Sequence, residues 1–385
     1  MLKKATWIWI LLGLTVLSFF EVFNYPTVAP LTDKPSNPAD MAWLLTATGL
    51  VLLMTPGLSF FYGGMVQKKN VISTMLQSFI CMGVVSILWV IVGFSLSFGE
   101  SFHGIIGNPM TFFMFKNVGM ATHESLAATI PLALFALFQL KFAIITPALI
   151  TGSFAERVRF SAYVLFTVLF CIFIYAPLAH WTWHPQGFLR TWGVLDFAGG
   201  TVVHMSAGIA ALCGALFLKQ RQTHGTVHLP ANIPYVLLGT GMLWFGWFGF
   251  NAGSALAANE TAVMAFLTTN TACAAAIAGW LAFDSIRGRR ASALGACVGA
   301  VVGLVAITPA AGYVSVGASI LIGLTASVIS NIAVHWKSQS SLDDTLDVFP
   351  CHGIGGMVGM LMTAVFAKDV GLIHGETKTF FMHLL

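Results

Sequence analysis

The sequence predicts an all-α polytopic membrane protein built as two inverted five-helix halves. Of its 385 residues, 57% are hydrophobic and 8% charged, against about a quarter charged in an ordinary soluble domain. Mean hydropathy is +0.85. A bilayer core of ~30 Å takes roughly 20 apolar residues per helix, so a chain this apolar can cross about ten times. Basic residues fall in every second loop between the apolar runs, and the fifth and tenth runs share an Asp followed by a His. A soluble enzyme is excluded. The net charge of +4 is too small and too scattered to suggest a nucleic-acid partner.

Residues 1–22 read as a signal peptide or an N-terminal anchor: Met1 to Lys4 is basic and Ala5 to Phe20 carries no charge. No A-x-A cleavage site follows. Residues 23–40, with Pro26, Pro30, Pro35 and Pro38, read as an extracytoplasmic linker. The membrane domain then occupies 41–370. Its first half (41–218) holds apolar runs near 41–64, 71–98, 126–154, 160–183 and 196–218, and its second half (233–367) holds runs near 233–254, 261–283, 291–309, 312–336 and 348–367. Lys68/Lys69, Arg157/Arg159, Lys219/Arg221, Arg287/Arg289/Arg290 and Lys337 mark alternate loops, which the positive-inside rule places in the cytoplasm. With Lys3 and Lys4 these make twelve of eighteen basic residues, against five outside (Lys34, Lys116, Arg190, Lys368, Lys378) and one, Lys141, inside a run. The mature chain is therefore expected to start outside the cell membrane. An odd number of spans per half inverts one half against the other, as in many transporters.

Ionisable residues inside a membrane are costly and mark function by default. His204 and His352 stand among Gly, Ala, Val and Met, each able to carry one donor and one acceptor while neutral. Asp196 precedes His204 as Asp347 precedes His352, a correspondence that fits two related halves. Eight helical residues span ~12 Å, so Asp196 cannot bond His204 directly. It can accept from the free N–H groups of its own helix and present negative potential to a cation. Trp181, Trp183, Trp192, Trp244, Trp247, Phe248 and Phe250 lie toward helix ends, where an interfacial belt is expected for most of them. Trp and Phe faces also attract cations. His180 and His184 have i, i+4 spacing, but no third metal ligand accompanies them. Gly353-Ile-Gly355-Gly356 follows no soluble strand, so it is not a nucleotide loop. The six cysteines show no CxxC spacing and read as small core residues.

Several segments in order resemble the ammonium transporter (Amt/Rh) family, bacterial Amt branch. They are LMTPGLSFFYGG from Leu53 to Gly64, FQLKFAIIT from Phe138 to Thr146, Ala155-Glu-Arg157, DFAGGTVVHMSAG from Asp196 to Gly208, WFGFNAGS from Trp247 to Ser254 and DVFPCHG from Asp347 to Gly353. The Asp196 segment is the most specific. The resemblance implies an Amt/Rh-like homotrimer of bundles, each with a central pore between its halves. It implies an ammonium recruitment site of Trp183 and Ser254, with Asp196 organising it and Phe138 lining the vestibule. A gate of Phe142 and Phe250 and the paired pore histidines His204 and His352 complete the set.

Ammonium and potassium are similar in size, so selectivity has to use the N–H donors and the removable proton that potassium lacks. Beyond two phenylalanines the path is apolar, and a full cation would cross at high cost. The expected function is a channel-type transporter that deprotonates ammonium near the gate and conducts ammonia past the histidines, with methylammonium as an analogue. The alternatives are an ammonium sensor without substantial flux and an inactive truncated family member. No enzymatic activity, cofactor or metal is expected. Residues 371–385 read as a stub of an eleventh span that the family carries and this chain is expected to lack. Without the family's cytosolic tail, regulation by a PII-type signalling protein is in question. Lys141 stands where the family has a small or apolar residue. Its side chain either snorkels to a polar partner or places a positive charge near the vestibule.

Overall fold

A computed structural model of the protein describes residues 4–24, 36–221 and 229–385. Most of the expected linker, residues 25–35, lies outside them. Among the described residues, nine helices are long and apolar enough to cross a membrane. After the N-terminal helix α1 (Lys4–Asn24) they are α2 (Pro38–Met65), α3 (Lys68–Phe98), α4 (Leu132–Phe154), α5 (Phe160–Trp192), α6 (Gly200–Leu218), α7 (Ile233–Gly253), α8 (Glu260–Ile286), α10 (Val316–Gln339) and α11 (Phe349–Phe366), with the shorter α9 (Ala293–Ile307) between α8 and α10. A last helix, α12, covers Lys378–Leu384. The ten-run reading of 41–370 thus corresponds to α2–α11.

Two runs differ from the expectation. The third begins at Leu132 rather than 126, because Leu126 to Pro131 belongs to a loop that also carries a two-stranded antiparallel ladder, Ser101–Phe102 with Ile106–Gly107. The eighth is helical only over Ala293–Ile307, about 22 Å at 1.5 Å per residue, too short to span alone. The residues that follow, Thr308 to Ala311, are buried turn, and non-helical backbone at depth is tolerated where protein surrounds it. Of the cysteines, five are buried and Cys213 is exposed, so it is not a core residue. It lies on α6 beside exposed Leu216 and Phe217, a face suited to lipid.

Helix starts follow local chemistry. Asn37 accepts from the Ala39 and Asp40 amides with Pro38 at the first helical position, and Asn232, Asn259, Ser292 and Ser315 each accept an amide of the helix they open. The halves then meet at bare backbone. The first helices of each half, α2 and α7, cross so closely that a Cβ on Gly239 would stand 2.4 Å from the Phe61 amide nitrogen. The fifth helices, α6 and α11, do the same: a Cβ on Gly208 would lie 2.1 Å from the Gly353 nitrogen. Small residues here replace a hydrophobic drive that lipid cannot supply. Equivalent helices touching in pairs is the contact pattern that two inverted halves predict.

The loops bearing the basic residues gather on one face. There Arg221 pairs with Asp343 (2.8 Å) and Glu156 (3.2 Å) and bonds Thr345, while Arg157 reaches the carbonyls of Ser153, Lys219 and Asp343. Glu156 also accepts the Gln67 amide at 2.8 Å. Burial alone would raise the Asp343 carboxyl, but Arg221 and Arg157 outweigh it and hold it at about 2. Residues predicted to set topology therefore also tie four loops of both halves together.

Candidate functional site

At the opposite face, the Asp196 carboxylate gathers four backbone amides. Two of its neighbours, Gly199 and Gly200, offer amides to Oδ1 at 2.8 and 2.6 Å, and Thr201 and Val202 offer theirs to Oδ2 at 2.8 and 3.4 Å. These are the unpaired donors of the first turn of α6, so one carboxylate meets the orphan amides of a helix end. Gly199 makes the approach with φ +116°, a region where other residues are strained. The Asp196 carbonyl oxygen also accepts the Trp183 indole N–H at 3.1 Å. Asp196 thus fixes both the start of the helix and the tryptophan.

A cavity of about 230 Å³ opens above this corner, lined by Trp183, Asp196, Ser254, Phe142, Gln139 and Tyr313 among others. The Ser254 hydroxyl donates to the Phe250 carbonyl at 2.9 Å, which leaves its lone pairs free to accept from a guest. Phe142 stands edge-on to Trp183 at 5.7 Å, and behind it Phe250 lies at 4.2 Å with the rings tilted by 32°. Phe138 does not line this cavity; it is fully buried, edge-on to Phe142 at 5.0 Å.

Beneath the two phenylalanines are the histidines. His204 is 6.0 Å from Phe250, and its ring is 5.4 Å from that of His352. The two Nδ1 atoms are 3.3 Å apart, so one ring donates its Nδ1 proton to the other. Each histidine sits in a π-helical turn, Gly200–Met205 and Phe349–Ile354, where α6 and α11 begin. Such wide turns recur at functional positions. The close approach of Gly208, one turn after His204, to Gly353, the residue after His352, lets rings 148 residues apart in sequence meet.

Three sequence readings need correction. Trp247 is not interfacial: it is 1% exposed, donates to the Thr308 hydroxyl at 2.9 Å and stacks on His204 at 5.3 Å. Phe250, grouped by position with the outer aromatics and by resemblance with Phe142, is buried between Phe142 and His204 rather than at the interface. The partner of Asp196 in the second half is Asp344 rather than Asp347. Asp344 precedes His352 by the same eight residues and its Oδ2 accepts the Phe349 amide at 2.7 Å, as Asp196 accepts that of Thr201. Asp347 instead pairs with Lys337 at 2.7 Å. Gln139 and Tyr313 were not anticipated at the cavity, although Gln139 lies within the FQLKF segment. His180 and His184 stack at 4.3 Å, with His180 bonded to the Ser101 hydroxyl and Ser97 carbonyl; no cluster of three potential metal ligands occurs among the described residues.

The chain matches the Ammonium Transporter Family over residues 42–385. It belongs to that family. It is 45% identical to the ammonium transporter of Aquifex aeolicus over 370 residues, 94% of this chain and 85% of that protein. Among solved structures, Candida albicans Mep2 superposes with a TM-score of 0.87 at 36% identity, covering 92% of this chain and 81% of that one. A structure titled Sensor Amt Protein superposes with a TM-score of 0.82 at 30% identity, covering 90% and 87%. The fold is thus that of an all-helical, multi-pass membrane protein of a transporter family.

Proposed function

We propose that this protein is a channel-type ammonium transporter. The observation that carries the reading is the unbroken series of contacts from Trp183 through Phe142 and Phe250 to His204 and His352. It begins in a polar cavity and ends in a buried pair able to pass a proton. Ammonium enters that cavity by cation–π attraction to Trp183, an N–H donated to Ser254 and the negative potential of Asp196. Phe142 and Phe250 exclude water, and a bare cation would pass them at high cost. Ammonium therefore gives up its proton at the gate, ammonia moves past the imidazoles, and reprotonation follows on the face with the basic loops. That face is cytoplasmic in this reading, the membrane is the plasma membrane, and three copies form the assembly. A PII-type protein would act from the same face.

The test is growth of a transporter-deficient host on low ammonium, with the amount of protein in the membrane measured alongside. Rescue is expected; absence of rescue at normal membrane abundance contradicts the reading. Ammonium binding without methylammonium uptake would favour the sensor alternative, which the likeness to the Sensor Amt Protein keeps in play.

Lys141 provides a second check. It is 8% exposed, does not line the cavity and has no ion pair among the described residues. A unit charge acting across roughly 10 Å at an effective dielectric of about 20 is worth ~1.7 kcal/mol, more than tenfold in cation occupancy. Methylammonium uptake by Lys141→Met compared with the parent decides between the two readings of this residue: a change of less than about twofold means that its charge is not felt in the cavity. A tenfold rise would show that the lysine repels the substrate.

A further inference from the structure

Asp196 and Asp344 hold matching positions in the two halves but are treated differently by their surroundings. Asp196 fills both oxygens with four amides. Asp344 is 0% exposed and has the Phe349 amide on Oδ2, while no donor is placed on its Oδ1 among the described residues. The sequence explains the difference. Pro350 stands where Val202 supplies an amide in the first half, and proline has no N–H to give. The Ser153 hydroxyl lies within reach of the carboxylate, but its single proton is directed to the Ala211 carbonyl at 3.1 Å. A buried carboxylate with an idle oxygen is poorly supported in its charged form, and buried polar atoms left open call for an explanation.

The groups around it are few. Tyr62 faces it from α2, Arg157 from the loop after α4 and Lys337 from the end of α10; Asp343, Asp347 and Cys351 are its neighbours in the chain. Burial and the nearby Asp347 charge push the Asp344 carboxyl up to about 6, against the pull of the Phe349 amide, Lys337 and the Ser153 hydroxyl. Asp344 joins two sides: its carboxylate holds Phe349, the first residue of the turn carrying His352, while its carbonyl accepts from Lys337 at 2.9 Å and the adjacent Asp343 pairs with Arg221.

We infer that Asp344 is a proton store on the exit side of the histidine pair, filled by the proton that ammonium surrenders at the gate. This rests on the transport reading above. The N–H bond of ammonium breaks with its electron pair left on nitrogen, the proton crosses the imidazoles, and water relays it over the eight-residue separation between His352 and Asp344, where an O–H bond forms. Return of that proton to ammonia at the exit restores ammonium and the carboxylate. The sign of the pH effect follows. Above about pH 6 the carboxylate is empty and can accept; below it the store is already filled, so current falls as the pH at the basic face drops through about 6.

The experiment compares the parent, Asp344→Asn and Asp344→Glu in proteoliposomes, recording ammonium-evoked current against pH on the basic-loop side. Infrared spectra of the same purified proteins follow the carboxylic acid C=O band. The expected result is a band titrating near pH 6 in the parent and lost in Asp344→Asn, with the current inflection disappearing alongside it. Asp344→Glu should regain both at a shifted midpoint. If Asp344→Asn keeps the parent's pH profile in shape, however reduced in size, the residue merely caps its helix and the inference is overturned. The infrared titration needs no flux, so absence of the band in the folded parent overturns it too. A parent that titrates near pH 6 but carries no ammonium current would contradict the transport reading, and the store with it.

Discussion

Replacing both pore histidines, His204→Leu with His352→Leu, should lower the ammonium-evoked current by about a hundredfold or more while protein abundance in the membrane is kept. Positioned proton transfer contributes typically 10²–10⁴-fold, and here the two Nδ1 atoms at 3.3 Å provide the positioned groups between the gate and the exit. The double variant is the informative one. Changing one ring leaves the other with a buried nitrogen and no partner, at about 1–3 kcal/mol, whereas replacing both with apolar groups of similar size removes donor and acceptor together. Current and uptake of labelled methylammonium should be read from the same preparation. A double variant that carries the parent's current and still rejects potassium would show that the histidines do not handle the proton.

The second large effect belongs to Asp196. Asp196→Ala strips an acceptor from four amides, three of them in buried surroundings, and each buried donor left unmet costs about 1–3 kcal/mol. Folded, membrane-inserted protein is therefore expected to fall sharply. Asp196→Asn separates charge from capping. Its amide oxygen still accepts from one pair of N–H groups, while the negative potential is gone. For a cation roughly 8 Å away at an effective dielectric of about 20, that potential is worth ~2 kcal/mol, or about thirtyfold in occupancy. Uptake at low ammonium per folded molecule should drop by about that factor in Asp196→Asn. Uptake equal to the parent's would reduce Asp196 to a helix cap.

Much of this arrangement was legible in the sequence because lipid narrows the options. Long charge-free runs in a bilayer have to be helices, and α2–α11 followed from their lengths and from the alternation of Lys and Arg between loops. His204, His352 and Asp196 stood out because such groups are expensive among Gly, Ala and Val. Distance along the chain carries no such signal. That rings 148 residues apart share a proton depends on the backbone contact of Gly208 with Gly353, which only the equivalence of the halves hinted at.

The residues misplaced or missed show where pattern reading ends. Trp247 and Phe250 look like belt residues by composition and are core residues by helix rotation, since the face of α7 toward α6 is indistinguishable from its lipid face when both are apolar. Asp347 reads as the twin of Asp196 because it opens the apolar run. The better guide, an identical eight-residue spacing to histidine, pointed to Asp344. Gln139 and Tyr313 reach the cavity from different elements, and no local motif ties them together.

The most direct test of the central claim is the current across proteoliposomes of the unaltered protein on an ammonium pulse, set beside an equal potassium pulse. The account predicts a saturable ammonium response, a proportionally smaller one to methylammonium and none to potassium above protein-free vesicles. Equal responses to ammonium and potassium, or none to either with methylammonium uptake also absent, would contradict it.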